Sequence, residues 1–194
     1  MCAHSFVVDR GVAVHANVEL DLRAGLPGLA VIGLGGGAAR DLRERVQAAV
    51  LNSGFAFPRR RVTVNIAPSA PRGGAELDLA VACCVLAAVG ELDSERLDRI
   101  GLCAELGLGG ELRGRGAGAT IADAAAAVGL AGLLVADEDG EQARLAQLLP
   151  VASAATLAEV VRLLRARALS INEKQARREL PRARHRPRAE RRPP

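Results

Sequence analysis

Between Phe6 and Leu22 nearly every second residue is apolar: Phe6 and Val8, then Val12, Val14, Ala16, Val18, Leu20 and Leu22. His15, Asn17, Glu19 and Asp21 stand between them. A period of two belongs to a strand with one face on a core and the other toward water; a helix cannot segregate its side chains that way. The two runs meet at Arg10 and Gly11, which predicts an antiparallel hairpin. Any fold open to this chain must therefore cover one face of that hairpin with apolar material. The choice of material is narrow, because 194 residues hold three Phe and no Trp or Tyr. The core must be built from Ala, Val, Leu and Ile, and platforms for stacking bases or sugars are almost absent.

The rest of the chain supplies the cover. Residues 28–34 are apolar on both faces and are expected to form a central strand, fed by the turn Gly25-Leu26-Pro27. Residues 39–53 carry Leu42, Val46, Ala49 and Val50 at helical spacing, with Gly54 as the stop. Residues 61–67 alternate again through Val62, Val64 and Ile66, and a glycine-containing loop leads into residues 77–89, apolar nearly all round and so a buried helix. Beyond it the pattern predicts a strand pair around Gly109 and Gly110, a helix over 120–128 and a short buried strand over 133–135. Helices over 141–149 and 156–168 follow, the last opened by Thr156 with Glu159 three positions on. The expected class is α+β, a mixed sheet packed with helices.

Apolar residues at 49% and charged residues at 25% are the balance of a globular chain with a core. The apolar stretches are far shorter than the ~20 residues of a membrane span, and Asp9 and Arg10 interrupt the N-terminus where a secretion signal needs an apolar run. A cytoplasmic location is expected. Cys2, Cys83, Cys84 and Cys103 form no CxxC pair and are expected as reduced thiols, Cys83 and Cys84 on a buried helix. His4, His15 and His185 are scattered, so no metal site is expected.

The net charge of +4 conceals an asymmetry. Residues 162–194 hold twelve Lys and Arg against three Glu, and the remainder has five more acidic than basic residues. Residues 169–194 end in ELPRARHRPRAERRPP, with no apolar periodicity, and are expected to form a disordered basic tail after a domain over 1–168. Its Arg182, Arg184, Arg186 and Arg188 are candidates for contact with DNA or another polyanion; the tail also reads as a linker remnant or an out-of-frame end. On the body, Arg59, Arg60, Arg61, Arg113 and Arg115 are the corresponding candidates, or an ordinary solvated face.

Most chemistry is excluded by inventory. Lys174 is the only lysine and no GxxxxGK[ST] surrounds it, so no Walker A loop exists. A Ser/Lys dyad would need Lys174, in the flanking tail segment, held rigidly beside a serine, which is not expected, and no GxSxG elbow supports a Ser/His/Asp triad. The glycines of Gly33-Leu34-Gly35-Gly36-Gly37 fall between a strand and a helix, where a dinucleotide loop places them. The next strand, however, ends in Asn65-Ile66-Ala67-Pro68, with no acidic residue for a ribose. No catalytic or cofactor-binding constellation is expected.

The series Gly25-Leu26-Pro27-Gly28-Leu29-Ala30-Val31-Ile32-Gly33-Leu34, Arg43-Glu44-Arg45-Val46, Leu51-Asn52-Ser53-Gly54-Phe55 and Val64-Asn65-Ile66-Ala67-Pro68 resembles the ComM/YifB family of magnesium-chelatase-like AAA+ ATPases. Gly73-Gly74-Ala75-Glu76-Leu77-Asp78-Leu79 and Gly110-Glu111-Leu112-Arg113-Gly114 extend the resemblance over about residues 4 to 165. It implies a Lon-protease-like domain, of the ribosomal small-subunit protein domain-2-like fold, placed before a AAA+ motor. In that family the motor is a hexameric ATPase implicated in DNA branch migration during natural transformation. ATP and magnesium belong to the motor, and a AAA+ core encoded separately or downstream is the implied partner. The same resemblance sets Asp78 near the place of a Lon peptidase's serine and Ala119 near its lysine, a degenerate site without the dyad. Walker A, Walker B and the arginine finger are absent, Ala80 stands where relatives often have proline, and truncation of a longer gene is an expectation. Three functions stay open: a non-catalytic domain of such a motor, a residual hydrolase or nucleotide binder using Asp78 and the Gly33–Gly37 loop, and a nonfunctional fragment.

Overall fold

The computed structural model describes residues 1–70 and 74–166. Strands β1 (Cys2–Asp9) and β2 (Val12–Arg23) form the expected hairpin, with Asp9 opposite Val12. Arg10 and Gly11 both take positive φ, 48° and 79°, as a two-residue turn matched to strand twist requires. β3 (Gly28–Leu34) leads into α1 (Gly36–Asn52), which buries Leu42, Val46, Ala49 and Val50. The helix closes as foreseen at Gly54: its amide reaches the Leu51 carbonyl at 3.0 Å and that of Phe55 reaches Val50 at 3.1 Å. β4 (Arg61–Ala70) buries Val62, Val64 and Ile66 on the same side.

A 3-10 turn at Ala75–Leu77 opens α2 (Asp78–Ala88), buried without a break from Asp78 to Leu86 and including Cys83 and Cys84. The short α3 (Ser94–Leu97), capped by Asp93, precedes β5 (Ile100–Cys103). The two-stranded ribbon of β6 (Glu105–Leu106) and β7 (Leu112–Arg113) is followed by α4 (Gly118–Ala127) and β8 (Gly132–Ala136). α5 (Asp137–Leu145), β9 (Val151–Ala154) and α6 (Leu157–Arg165) complete the described chain.

Seven strands form one mixed sheet in the order β3-β4-β2-β1-β5-β8-β9. β1–β2 and β2–β4 are antiparallel; β3–β4, β1–β5, β5–β8 and β8–β9 are parallel. With helices packed on it, this is the mixed class expected from the sequence. Two cores lie on opposite faces. One joins α1, α2 and α6 to Val18, Leu20, Val64 and Leu134; the other places α4 and α5 on Phe6, Cys103, Leu133 and Val135.

Three expectations fail in instructive ways. β3 is an edge strand, not a central one: Leu29 is buried beneath the helices, while Ile32, on the other face, is 55% exposed. Its apolar run reflects one covered face plus residues left in the open. α5 begins four positions before the expected 141, because Asp137, Glu138 and Asp139 suit a first helical turn. β9 lies in a segment whose strand the pattern missed. The cap of α6 is as read, with Thr156 Oγ1 accepting from the Glu159 amide at 3.3 Å. The expected tail, residues 169–194, lies outside the described residues.

Candidate functional site

The most deeply buried charge sits at the start of α2. Asp78 is fully buried and takes a two-pronged contact from Arg45 of α1: Nε donates to Oδ2 at 2.5 Å and Nη2 to Oδ1 at 3.1 Å. The Leu106 amide of β6 donates to Oδ2 at 3.2 Å. Two planar groups matched in this way form the strongest kind of side-chain pair, and they tie α1, α2 and β6 at one point. Burial pushes the Asp78 carboxyl up to about 6, the bonds from Arg45 and Leu106 offsetting part of that shift. All donors on Asp78 are structural, so both of its oxygens are already committed.

Around this pair lies a ring of charge. Arg115 Nε is 3.4 Å from Glu76 Oε1, and its Nη1 is 3.8 Å from Glu105 Oε2. The other Glu76 oxygen, Oε2, is buried with no partner among the described residues. Asp139 of α5 accepts from the Arg115 and Ala117 amides at 3.0 and 2.8 Å and so fixes the loop that carries Arg115. Ala119, exposed in the first turn of α4, offers no titratable group.

The remaining candidates separate. Arg59, Arg60 and Arg61 are exposed at the start of β4, Arg61 opposite Arg23 of β2 and Gly28 of β3. Arg113 is exposed on β7 and Arg115, in the loop before α4, is drawn into the acidic ring, so these two stand on other segments than the three consecutive arginines at β4. Arg182, Arg184, Arg186 and Arg188 lie outside the described residues. At the Gly33–Gly37 loop, Gly33 has φ +95°, and a side chain there would collide with the Ile66 carbonyl. That glycine is required by the close approach of β3 to β4, without reference to a ligand.

Arg45 was not singled out from the sequence, although a signal exists. It stands three residues after Leu42 and four before Ala49, so it borders the buried stripe of α1, where a cation needs a buried anion. The histidines were also read as unrelated, and this is corrected by the hairpin. Its register stacks His4 and His15 with ring centroids 5.1 Å apart, Nδ1 of His4 lying 3.0 Å from both His15 Nε2 and Asn17 Oδ1. Burial, with His4 adding to it, lowers His15 to about 4. Cys83 and Cys84 lie on the buried α2, as expected; Cys103 is buried as well, and burial pushes Cys84 and Cys103 up to about 12. No helix among the described residues is long and apolar enough to cross a membrane.

Comparison with known proteins gives this arrangement a family. Residues 18–139, from β2 into α5, match the family described as subunit ChlI of Mg-chelatase. YifB of Escherichia coli K12 is 41% identical over 98 residues, which are 50% of this chain and 19% of that protein. The competence protein ComM of Haemophilus influenzae is 35% identical over 148 residues, 76% of this chain and 29% of ComM. A protein of Mycobacterium tuberculosis is 39% identical over 97 residues, 50% of this chain and 19% of the relative. The chain thus spans less than a third of the length of these curated relatives. The matched stretch contains Arg45, Asp78 and the ring around them, and the chain belongs to the magnesium-chelatase-like ChlI family as a counterpart of the N-terminal region of ComM and YifB.

Proposed function

We propose that this chain is the non-catalytic, Lon-like N-terminal domain of a ComM/YifB-type AAA+ ATPase, extending over residues 1–168, and that it acts by docking onto a motor and onto DNA. The observation that carries the reading is the bond set of Asp78. The resemblance equates this position with a nucleophile, yet here the side chain is fully buried and spoken for by Arg45 and the Leu106 amide. A carboxylate so held is a bolt between helices, and Ala119 supplies no base.

ATP and magnesium do not fit the residues present. Lys174, the only lysine, has no phosphate loop around it, and Gly33 is explained by packing against Ile66. ATP turnover therefore belongs to a motor supplied by another polypeptide or by a downstream sequence. The exposed Arg59, Arg60 and Arg61, with the arginines of the tail, are the proposed phosphate contacts, and the body belongs in the cytoplasm.

The test is reconstitution. Purified chain is mixed with the ATPase core of ComM lacking its own N-terminal region, and complex formation, ATP turnover and binding to branched DNA are measured at low and high salt. The expected result is a stable complex, salt-sensitive DNA binding that weakens in an Arg59/Arg60/Arg61→Ala variant, and no turnover by the chain alone. ATP or peptide hydrolysis by the chain alone that disappears in Asp78→Asn overturns the reading.

A further inference from the structure

We propose that Cys2, His4 and Asp98 form a binding site for one divalent cation of the zinc class, which clips β1 to the junction between α3 and β5. Strand period two puts Cys2 and His4 side by side on one face of β1, and His4 pairs in register with Gly101 of β5, which brings Asp98 alongside. One ligand atom from each of the three residues lies within 4.8 Å of the other two. His4 Nε2 and Asp98 Oδ1 are already 3.4 Å apart, the edge of a tetrahedron whose metal bonds are ~2.1 Å. Rotation of the half-buried Cys2 side chain closes the remaining gap.

The ring of His4 is held in the orientation an ion needs. Asn17 Oδ1, 3.0 Å from Nδ1, stands ready to accept a hydrogen there in the tautomer that leaves Nε2 open to a metal. Without an ion, Nε2 faces two acceptors, the Asp98 carbonyl oxygen at 3.2 Å and Asp98 Oδ1 at 3.4 Å, so its hydrogen points at Asp98 and must move to Nδ1 before an ion binds. Nitrogen, oxygen and sulfur ligand atoms thus converge at one place. A sulfur, imidazole and carboxylate set suits zinc, whereas calcium and magnesium prefer oxygen alone. Asp98 is 59% exposed, so solvent reaches the site and completes the fourth position. Binding forms the metal–sulfur bond as the thiol proton leaves to solvent, and the metal–nitrogen bond as the ring hydrogen passes by way of solvent from Nε2 to Nδ1, where Asn17 accepts it; no electron is transferred.

The experiment uses the full chain, untagged, reduced and stripped with EDTA, titrated first with Co2+ and then with Zn2+. Expected are one Co2+ per chain, a near-ultraviolet sulfur-to-cobalt band, displacement by Zn2+, and a Tm raised by about 5 °C at a hundredfold excess of Zn2+ over its Kd. The sulfur band reports Cys2 because Cys83, Cys84 and Cys103 are buried. Cys2→Ser removes the band, Asp98→Asn weakens binding at least ~10-fold, Asn17→Leu weakens it ~10-fold through the ring, and His185→Gln leaves it unchanged. Asp98 is exposed, so Asp98→Asn keeps the fold, verified by circular dichroism. Absence of saturable one-to-one binding, a sulfur band that survives Cys2→Ser, or binding lost in His185→Gln overturns the proposal.

Discussion

The two ends of the sheet are built on different terms. At the β5–β8–β9 end the strands are parallel and carry helices on both faces, so Gly132–Ala136 is buried at every position. At the β3–β4–β2 end helices cover one face, and the other shows Glu19, Asp21 and Arg23 of β2 beside Thr63 and Asn65 of β4. Cover on both faces abolishes alternation in the sequence, and cover on one face imposes it. The closed end is where stability is expected to concentrate. The open end leaves a broad polar face free for other uses.

Substitution tests that contrast directly. Leu134→Ala, a fully buried side chain at the closed end, is expected to cost about 4 kcal/mol, read as a shift of the urea midpoint. A loss below about 1 kcal/mol would mean that this end repacks easily and is not the anchor. Asp78→Ala, in the polar seam where α1 meets α2, is expected to cost about 3 kcal/mol, because it leaves Arg45 without its partner. The double variant Arg45→Met/Asp78→Leu should recover most of that loss. If the double variant is as unstable as the single one, the seam is worth more than an apolar contact and the pair is not a mere bolt.

The same seam sets a pH dependence. Burial raises the folded carboxyl from 3.8 to about 6, so the folded state holds the proton more tightly than the unfolded chain. The resulting stability is fully present below about pH 4 and is lost as pH rises through about 6, by up to roughly 3 kcal/mol. Midpoints of the native protein and of Asp78→Asn, measured from pH 4 to pH 7, should converge or cross over that window; parallel curves would show that Arg45 holds the carboxylate ionised throughout. The smallest effect belongs to the open face, where Asp21→Ala and Thr63→Ala should each change stability by less than about 0.5 kcal/mol. A larger loss would mean that this face contributes to the fold.

Legibility in the sequence follows the same division. The hairpin, α1 with its Gly54 stop and β4 were plain, because one covered face writes a period into the residues. The position of β3 was not, since an apolar run does not distinguish a strand buried between neighbours from one at the rim. β9 escaped because its four residues, Val151 to Ala154, include Ser153 and carry too little pattern. In the site, Asp78 was found through resemblance, while Arg45 and the His4–His15 stack were not. The Arg45–Asp78 pair joins residues 33 apart on two helices, where sequence spacing carries no signal, whereas the His4–His15 stack follows from the register of the hairpin once its strands are paired. For Arg45, inward-facing charge on α1 was the one readable hint.

The order of the strands also governs how the chain acquires its shape. β1 lies in the middle of the sheet, between β2 and β5, and its pairing with β5 joins positions as far apart as His4 and Gly101. As the chain emerges, β1 to β4 with α1 and α2 can assemble while the outer edge of β1 still waits for residues 100–103. During that interval the edge is a free template, attractive to a neighbouring nascent chain. Closing a loop of this length costs more entropy than forming the hairpin, so the hairpin is expected to form before β5 pairs with it. On that order the parallel end is added to the antiparallel one, and pairing with β5 is the step that covers the edge of β1.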